Sequence, residues 1–140
     1  MDKRGRGRPR YSRPGGRRYI HAITKTRGHG TSTFASLKIL AVAVEGNQEQ
    51  QTFTVNYTDG TSSSFTQSLS DWAEPGNLSD ESVATEMPYR LTAEGSKDAN
   101  TFYAHAYSFS LDSSKVTSSV NLPANANVLV LAATLVPSVK

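Results

Sequence analysis

Hydrophobic and polar residues alternate along much of the chain after residue 33, the pattern of strands with one buried face. Residues 51–58 (QTFTVNYT) show it most cleanly, because Phe, Val and Tyr alternate there with Thr and Asn. Asp59-Gly60 follows, and a β-favouring run continues to residue 69. Since Asp-Gly favours the positive φ angles of a type I′ turn, the pattern predicts a hairpin over 51–69.

Two other runs are almost wholly apolar. Residues 37–44 (LKILAVAV) predict a central strand buried on both faces, and residues 128–136 (VLVLAATLV) predict a final buried strand. Strands are also predicted over 83–91, where Pro88 indicates an edge or a bulge, and over 101–111 and 116–122.

The remaining stretches after residue 33, at 70–82 and 92–100, are rich in turn-forming residues and predict loops. Six or seven strands without a convincing helix predict an all-β protein, an antiparallel β-sandwich. The aromatic stripe at the alternate positions 103–109, which includes His105, is then interpreted as an inward core face.

Charge divides the chain into two parts. Residues 1–27 hold ten of the fifteen Lys and Arg residues and one acid, whereas the rest holds five basic residues and eleven acids. Residues 1–33 are too poor in apolar side chains to offset the entropy of ordering, which predicts a disordered basic tail. Only residues 19–23 (YIHAI) favour a strand there. The predicted domains are therefore a tail, 1–33, and a β-sandwich, 34–140.

The tail contains Arg6, Gly7, Arg8, Pro9 and Arg10, which resemble the core of an AT-hook. Arginine is attracted to the narrow minor groove of A·T-rich DNA, and glycine permits close approach of the backbone. These five residues are the candidate nucleic-acid-binding residues. A nonspecific RNA-binding arm and a spurious start of the domain are the alternatives.

Several spaced segments resemble a family of bacterial β-sandwich modules. They are LKILAVAVEGNQEQQTFTVNYTDGT (37–61), FTQSLSDW (65–72), YR (89–90), KDANTFYAHAYSF (97–109) and the segment from LP to LVLAATLV (122–136). The modules are jelly rolls of the galactose-binding-like, carbohydrate-binding class and accompany secreted glycosidases and other multidomain extracellular proteins, so the resemblance implies a jelly-roll-like sandwich. The resemblance implies a non-catalytic, extracellular accessory module that binds carbohydrate and is shortened at its N-terminus.

The candidate carbohydrate-binding residues are Asp71, Trp72, Tyr89 and Arg90. An indole ring can stack on the apolar face of a sugar, and a carboxylate accepts hydrogen bonds from its hydroxyls. The alternative interpretation is structural. Trp72 then plugs one end of the core, Asp71 caps a turn, and an Arg90–Asp98 or a Lys97–Glu94 pair forms on the surface.

No motif nominates a catalytic residue, a metal site or a cofactor, so the chain is predicted not to be an enzyme. Cysteine is absent, which excludes disulfides and thiolate ligands, and no apolar run is long enough to span a membrane. The start lacks the apolar segment of a secretory signal, which predicts a cytoplasmic protein if the chain is complete. Missing leading strands would leave a free edge beside residues 37–44, which predicts an edge-strand dimer.

Overall fold

A computed structural model describes residues 19–21 and 33–139, and these residues form ten β-strands and no helix. The described part of the chain therefore holds no helix able to cross a membrane. The strands are β1 (Tyr19–His21), β2 (Phe34–Ala43), β3 (Gln48–Tyr57), β4 (Ser62–Leu69), β5 (Ser82–Met87), β6 (Arg90–Leu91), β7 (Lys97–Asp98), β8 (Phe102–Ser110), β9 (Thr117–Asn121) and β10 (Val128–Pro137).

The strands form two antiparallel four-stranded sheets and a small ribbon. The first sheet has the order β1-β9-β3-β4, the second has the order β10-β2-β8-β5, and β6 pairs with β7. One cluster of buried side chains, drawn from both sheets, forms the core. The predicted all-β antiparallel sandwich is confirmed.

The core follows from the alternation in the strands. Phe53 and Val55 of the first sheet are buried with Ile39 and Phe109 of the second. The Phe109 ring lies 5.3 Å from that of Phe53 and 5.1 Å from that of Phe65, measured between centroids. Each such buried side chain contributes about 1.5–3 kcal/mol relative to an exposed one. The sheets are therefore held together mainly by apolar packing.

The predicted hairpin is confirmed, but its predicted turn type is wrong. The amide of Tyr57 donates to the Thr61 carbonyl at 2.9 Å, and that of Gly60 donates to the Tyr57 carbonyl at 3.1 Å. Only Gly60 has a positive φ, +85°, whereas a type I′ turn needs two. These features define a three-residue loop with a glycine bulge. The Asp59 side chain favours it by accepting from the Thr61 amide and hydroxyl at 2.8 and 2.6 Å.

The position of β2 corrects one prediction and confirms another. The strand is central, as predicted, because β10 and β8 pair with its two sides. The expected free edge beside it is therefore wrong, and the described strands at the edges of this sheet are β10 and β5. Leu129 and Leu131 of β10 are 40% and 56% exposed, and Leu131 lies at an irregularity in the pairing. The final strand is thus only partly buried, and an edge-strand dimer remains a prediction.

Three predicted segments gain detail from the structure. The strand predicted over 83–91 is β5, an edge strand that ends just before Pro88. The predicted loop 92–100 instead contains β7, which pairs with β6 to form the ribbon. In the tail, the favoured segment 19–23 supplies β1, which pairs with β9. The AT-hook-like residues 6–10 lie outside the described residues.

Candidate functional site

The loop 70–82 crosses one end of the second sheet, where β2 ends and β8 begins. The Trp72 amide donates to the carbonyl of Ala43 at 2.9 Å, and the Trp72 carbonyl accepts from the amide of Tyr103 at 2.7 Å. The chain at Trp72 therefore bridges β2 and β8 as a short strand would. This fixes the start of the loop to the sheet and determines where the predicted site residues lie.

Asp71 holds the turn at the start of this loop. Its carboxylate accepts from the backbone amides of Gly46, Ala73 and Glu74 at 2.9, 2.8 and 3.0 Å. Its own amide donates to the Asn47 side chain at 2.8 Å. Because three backbone donors already use the carboxylate, it keeps little acceptor capacity for a ligand. The contacts match the turn-capping alternative for Asp71.

Trp72 and Arg90 are brought together on the surface of the second sheet. The Trp72 ring is half-buried and lies 4.5 Å from the ring of Phe102. The Arg90 guanidinium lies 5.5 Å from the Trp72 ring centroid and 5.1 Å from that of Phe102. Trp72 is not part of the core cluster. The guanidinium therefore lies against both rings, an arrangement that cation–π attraction favours.

The ribbon β6–β7 positions Arg90 and the neighbouring Tyr89. Arg90 Nε donates to Asp98 Oδ2 at 2.9 Å, the ion pair that the structural alternative predicted. The Asn100 amide and then the Arg90 side chain, both hydrogen-bonded to Asp98, hold the pKa of that carboxyl below its usual value. Tyr89 is 46% exposed, and the Lys97 ammonium lies 4.4 Å from its ring centroid. The ribbon thus presents Tyr89 and Arg90 to solvent.

A second polar cluster, which the sequence analysis missed, centres on Glu81. One carboxylate oxygen accepts from the Ser70 hydroxyl at 2.5 Å and the Leu78 amide at 3.0 Å. The other accepts from the Tyr107 hydroxyl at 3.0 Å and the Ser70 amide at 3.3 Å. Glu81 therefore ties both ends of loop 70–82 to the middle of β8.

The environment of Glu81 shifts two pKa values in opposite directions. Burial alone raises the pKa of Glu81, but hydrogen bonds from Ser70, Leu78 and Tyr107, together with the charge of His105, bring it below 4.5. Burial, followed by the charge of Glu81, raises the pKa of Tyr107 well above its ordinary value. The cluster therefore consists of an ionised carboxylate and a neutral phenol at neutral pH.

A cleft of about 460 Å³ opens between the loop and the start of β8. It is lined by Pro75, Asn77, Leu78, Glu81, Val83, Tyr103 and His105. The Tyr103 ring is half-buried, and its centroid lies 6.5 Å from that of His105. His105 is 2% exposed, and its Nδ1 has no hydrogen-bond partner within the described residues. The cleft thus combines an accessible aromatic ring with polar side chains.

The aromatic stripe of β8 divides between core and cleft. Tyr107 and Phe109 are buried in the core cluster, as predicted, whereas Tyr103 and His105 line the cleft. Alternation places all four residues on one face but does not show where the covering sheet ends. Within the described ranges, no group of three or more His, Asp or Glu side chains is arranged to hold a metal ion.

A comparison with protein-family models matches residues 29–139 to a family described as "AziU2-like beta-sandwich domain". No curated protein matches the chain. The match agrees with the sandwich architecture and covers both the loop 70–82 and the ribbon. The description of the family names a fold and no ligand.

Proposed function

We propose that this chain, which belongs to the AziU2-like beta-sandwich domain family, is a non-catalytic module that binds carbohydrate. The binding site would lie at the end of the sandwich covered by loop 70–82. The cleft beside Tyr103 carries this proposal, because it is large enough for a sugar residue and combines one aromatic ring with several polar groups.

The chemistry of the cleft suits a polyhydroxyl ligand. One face of a sugar ring is apolar and packs on an aromatic side chain, while its hydroxyl groups exchange hydrogen bonds with amides, imidazoles and carboxylates. Tyr103 supplies the aromatic surface, and the exposed side chain of Asn77 supplies polar groups. Glu81 already accepts four hydrogen bonds, so we assign it the role of fixing the loop.

The residues nominated from the sequence have two roles in this proposal. Asp71 and Trp72 support the cleft, because Asp71 caps the turn that starts the loop and the Trp72 backbone joins the loop to β8 at Tyr103. Tyr89 and Arg90 offer a second contact surface on the ribbon, where both are exposed. Arg90 lies against Phe102, on the opposite face of β8 from Tyr103, so this surface would bind a sugar separately from the cleft.

Binding of the full-length protein to a panel of mono- and oligosaccharides, measured by calorimetry at moderate salt, tests the proposal. We expect saturable binding that falls at least tenfold in Tyr103→Ala and is retained in Thr85→Ala, a control at an exposed position of β5 outside the cleft lining. A tenfold loss in Tyr89→Ala instead would move the contact surface to the ribbon. No binding to any sugar by a folded protein would refute the proposal.

A second function is favoured by the charge of the tail. Ten of the fifteen basic residues lie within residues 1–27, and this density attracts nucleic acid through its phosphates. We propose that Arg6, Arg8 and Arg10 contact DNA or RNA, with Gly7 and Pro9 shaping the backbone as in an AT-hook. Binding of an A·T-rich duplex should fall steeply with salt and be lost in a triple Arg→Ala variant of these positions. If the triple variant binds the duplex as tightly as the wild type does, the proposed role of these arginines is refuted.

A further inference from the structure

The first sheet carries a groove on its outer side, in the layer of the sandwich that does not contain β8. Its volume is about 440 Å³. The groove is lined by Gln50, Gln51, Thr52, Thr54, Asn121, Leu122, Pro123, Ala124 and Asn125. Every lining residue is uncharged, and the polar ones are all amides or hydroxyls. Leu122, Pro123 and Ala124 add an apolar wall.

Hydrogen bonds between side chains hold the amides at the end of this groove. Asn125 Nδ2 donates to Gln48 Oε1 at 2.8 Å and to Gln51 Oε1 at 3.1 Å. An irregularity in β3 between Gln48 and Gln51 gives Gln50 a φ of +51°. Bulges of this kind redirect side chains at sheet rims. In the described residues, neither the Gln50 side chain nor that of Thr52 makes a hydrogen bond, so both retain donors and acceptors for a ligand.

The groove continues onto the outer face of the sheet. The outward positions of β3 lie opposite outward positions of β4 and β9, because residues paired across antiparallel strands share a face. These positions are Thr52, Thr54, Asn56, Ser62, Ser64, Thr66, Ser119 and Asn121. All are Ser, Thr or Asn. Side-chain contacts such as Thr54 Oγ1 to Ser64 Oγ, 3.1 Å, link neighbouring strands.

From this geometry we infer that the groove and the adjoining face bind an extended, uncharged polysaccharide chain. A charged polymer needs opposite charges to offset its desolvation, and none of these positions supplies one. An apolar peptide segment would bury the hydroxyls and amides of the face without partners. A neutral glycan instead matches the hydroxyls and amides with its own hydroxyls, and its apolar ring faces match Leu122 and Ala124.

The inference rests on the proposed function for its class of ligand, but it uses different residues and a different kind of ligand. The cleft beside Tyr103 would hold one or two sugar residues, whereas the outer face of the first sheet is built for a chain. Soluble oligosaccharides therefore report on the cleft, and adsorption to insoluble polymer reports on the face.

The test is adsorption of the full-length protein to microcrystalline cellulose, chitin and granular starch, with polygalacturonate as the charged comparison. We expect adsorption to one or more of the neutral polymers with little change between low and high salt. Adsorption to polygalacturonate, which carries negative charges that attract the basic residues 1–27, should instead be lost at high salt and should not change in Thr52→Glu. Thr52→Glu should weaken adsorption to the neutral polymers at least tenfold. Thr85→Glu, at an exposed strand position of the second sheet, is the matched control and should adsorb as the wild type does.

The double variant Thr52→Ala/Gln50→Ala is a milder change. We expect its adsorption to the neutral polymers to fall by about threefold or more and its melting temperature to equal that of the wild type. Three results would overturn the inference: adsorption unaffected by Thr52→Glu, equal loss in Thr85→Glu, or no adsorption to a neutral polymer. Loss of adsorption in Tyr103→Ala alone would assign all binding to the cleft, which leaves the proposed function standing and refutes this inference.

Discussion

The Tyr107 hydroxyl donates a 3.0 Å hydrogen bond to the Glu81 carboxylate, and this contact joins the loop 70–82 to the core of the sandwich. Tyr107 is buried among apolar side chains, so its hydroxyl depends on Glu81 for a partner. Glu81 in turn depends on the loop, because Ser70 and Leu78 supply its other donors. The conformation of the loop that forms the cleft therefore depends on the hydrogen bond between Tyr107 and Glu81.

Removal of that hydroxyl in Tyr107→Phe should destabilise the protein by about 1.5–3 kcal/mol, the range for a hydrogen bond to a charged group. The ring and its packing remain, so the loss isolates the hydrogen bond. Urea unfolding followed by tryptophan fluorescence measures it. Tyr103→Phe, whose hydroxyl makes no hydrogen bond within the described residues, is the control. Equal stability of Tyr107→Phe and wild type would contradict the coupling.

Stability should also depend on pH through Glu81. Its pKa in the folded protein lies below the ordinary value of 4.5, so the unfolded chain takes up the proton at a higher pH than the folded one. The contribution of Glu81 is therefore fully present above pH 4.5 and is lost as the pH falls through the lowered folded pKa. Melting temperatures between pH 7 and pH 3 measure this loss.

Glu81→Gln is the comparison for the pH series, because it replaces the titrating carboxyl group with an uncharged amide of similar shape. The variant should be less stable than wild type at pH 7, and the difference between the two should shrink toward pH 3. Other carboxyls with lowered pKa values, those of Asp59, Glu94, Asp98 and Asp112, titrate in both proteins and cancel in the difference. A difference that is constant with pH would contradict the assignment.

The hairpin supplies a prediction about backbone conformation. Gly60 has a φ of +85°, and a Cβ added there would meet nothing within 4 Å. Gly60→Ala should therefore cost about 1–2 kcal/mol through conformation alone, without a steric clash. Gly60→Asn should cost less, because asparagine tolerates positive φ better than alanine. Thermal unfolding of the two variants provides the measurement, and equal stability of the alanine and asparagine variants would contradict the conformational explanation.

Alternation along the chain was sufficient to predict the sandwich, because each buried face leaves a period of two in its own strand. The inward positions of β3, including Phe53 and Val55, were identified this way. The order of the strands within each sheet could not be predicted, because pairing between strands that are distant in sequence leaves no local pattern. This is why β10 was expected to be buried and β2 to lie beside a free edge.

The contacts in the candidate site were also not predictable from local sequence patterns. Asp71, Trp72 and Arg90 were recognised as unusual residues near loops, but their partners Gly46, Phe102 and Asp98 come from three other segments. Ser70 and Glu81 were missed because serine and glutamate in a polar loop look like solvent-exposed residues. They meet Tyr107 only in the folded chain. The position of Ser70 directly after the buried end of β4 did not by itself indicate that its side chain is buried.

The contacts of Asp71 lead to a final prediction, about the turn that begins the loop. Loss of three backbone-to-carboxylate hydrogen bonds in Asp71→Ala should cost about 1–2 kcal/mol, as loss of a helix N-cap does. Asp71→Asn keeps one acceptor oxygen, which can still serve the amides of Ala73 and Glu74, so its cost should be smaller. Urea unfolding gives both values, and limited proteolysis reports on the loop itself. Since Asp71 supports the cleft, the alanine variant should be cleaved faster within 70–82 than wild type. A variant as stable and as resistant to protease as wild type would show that the turn is held by Trp72 and the strand ends without the carboxylate.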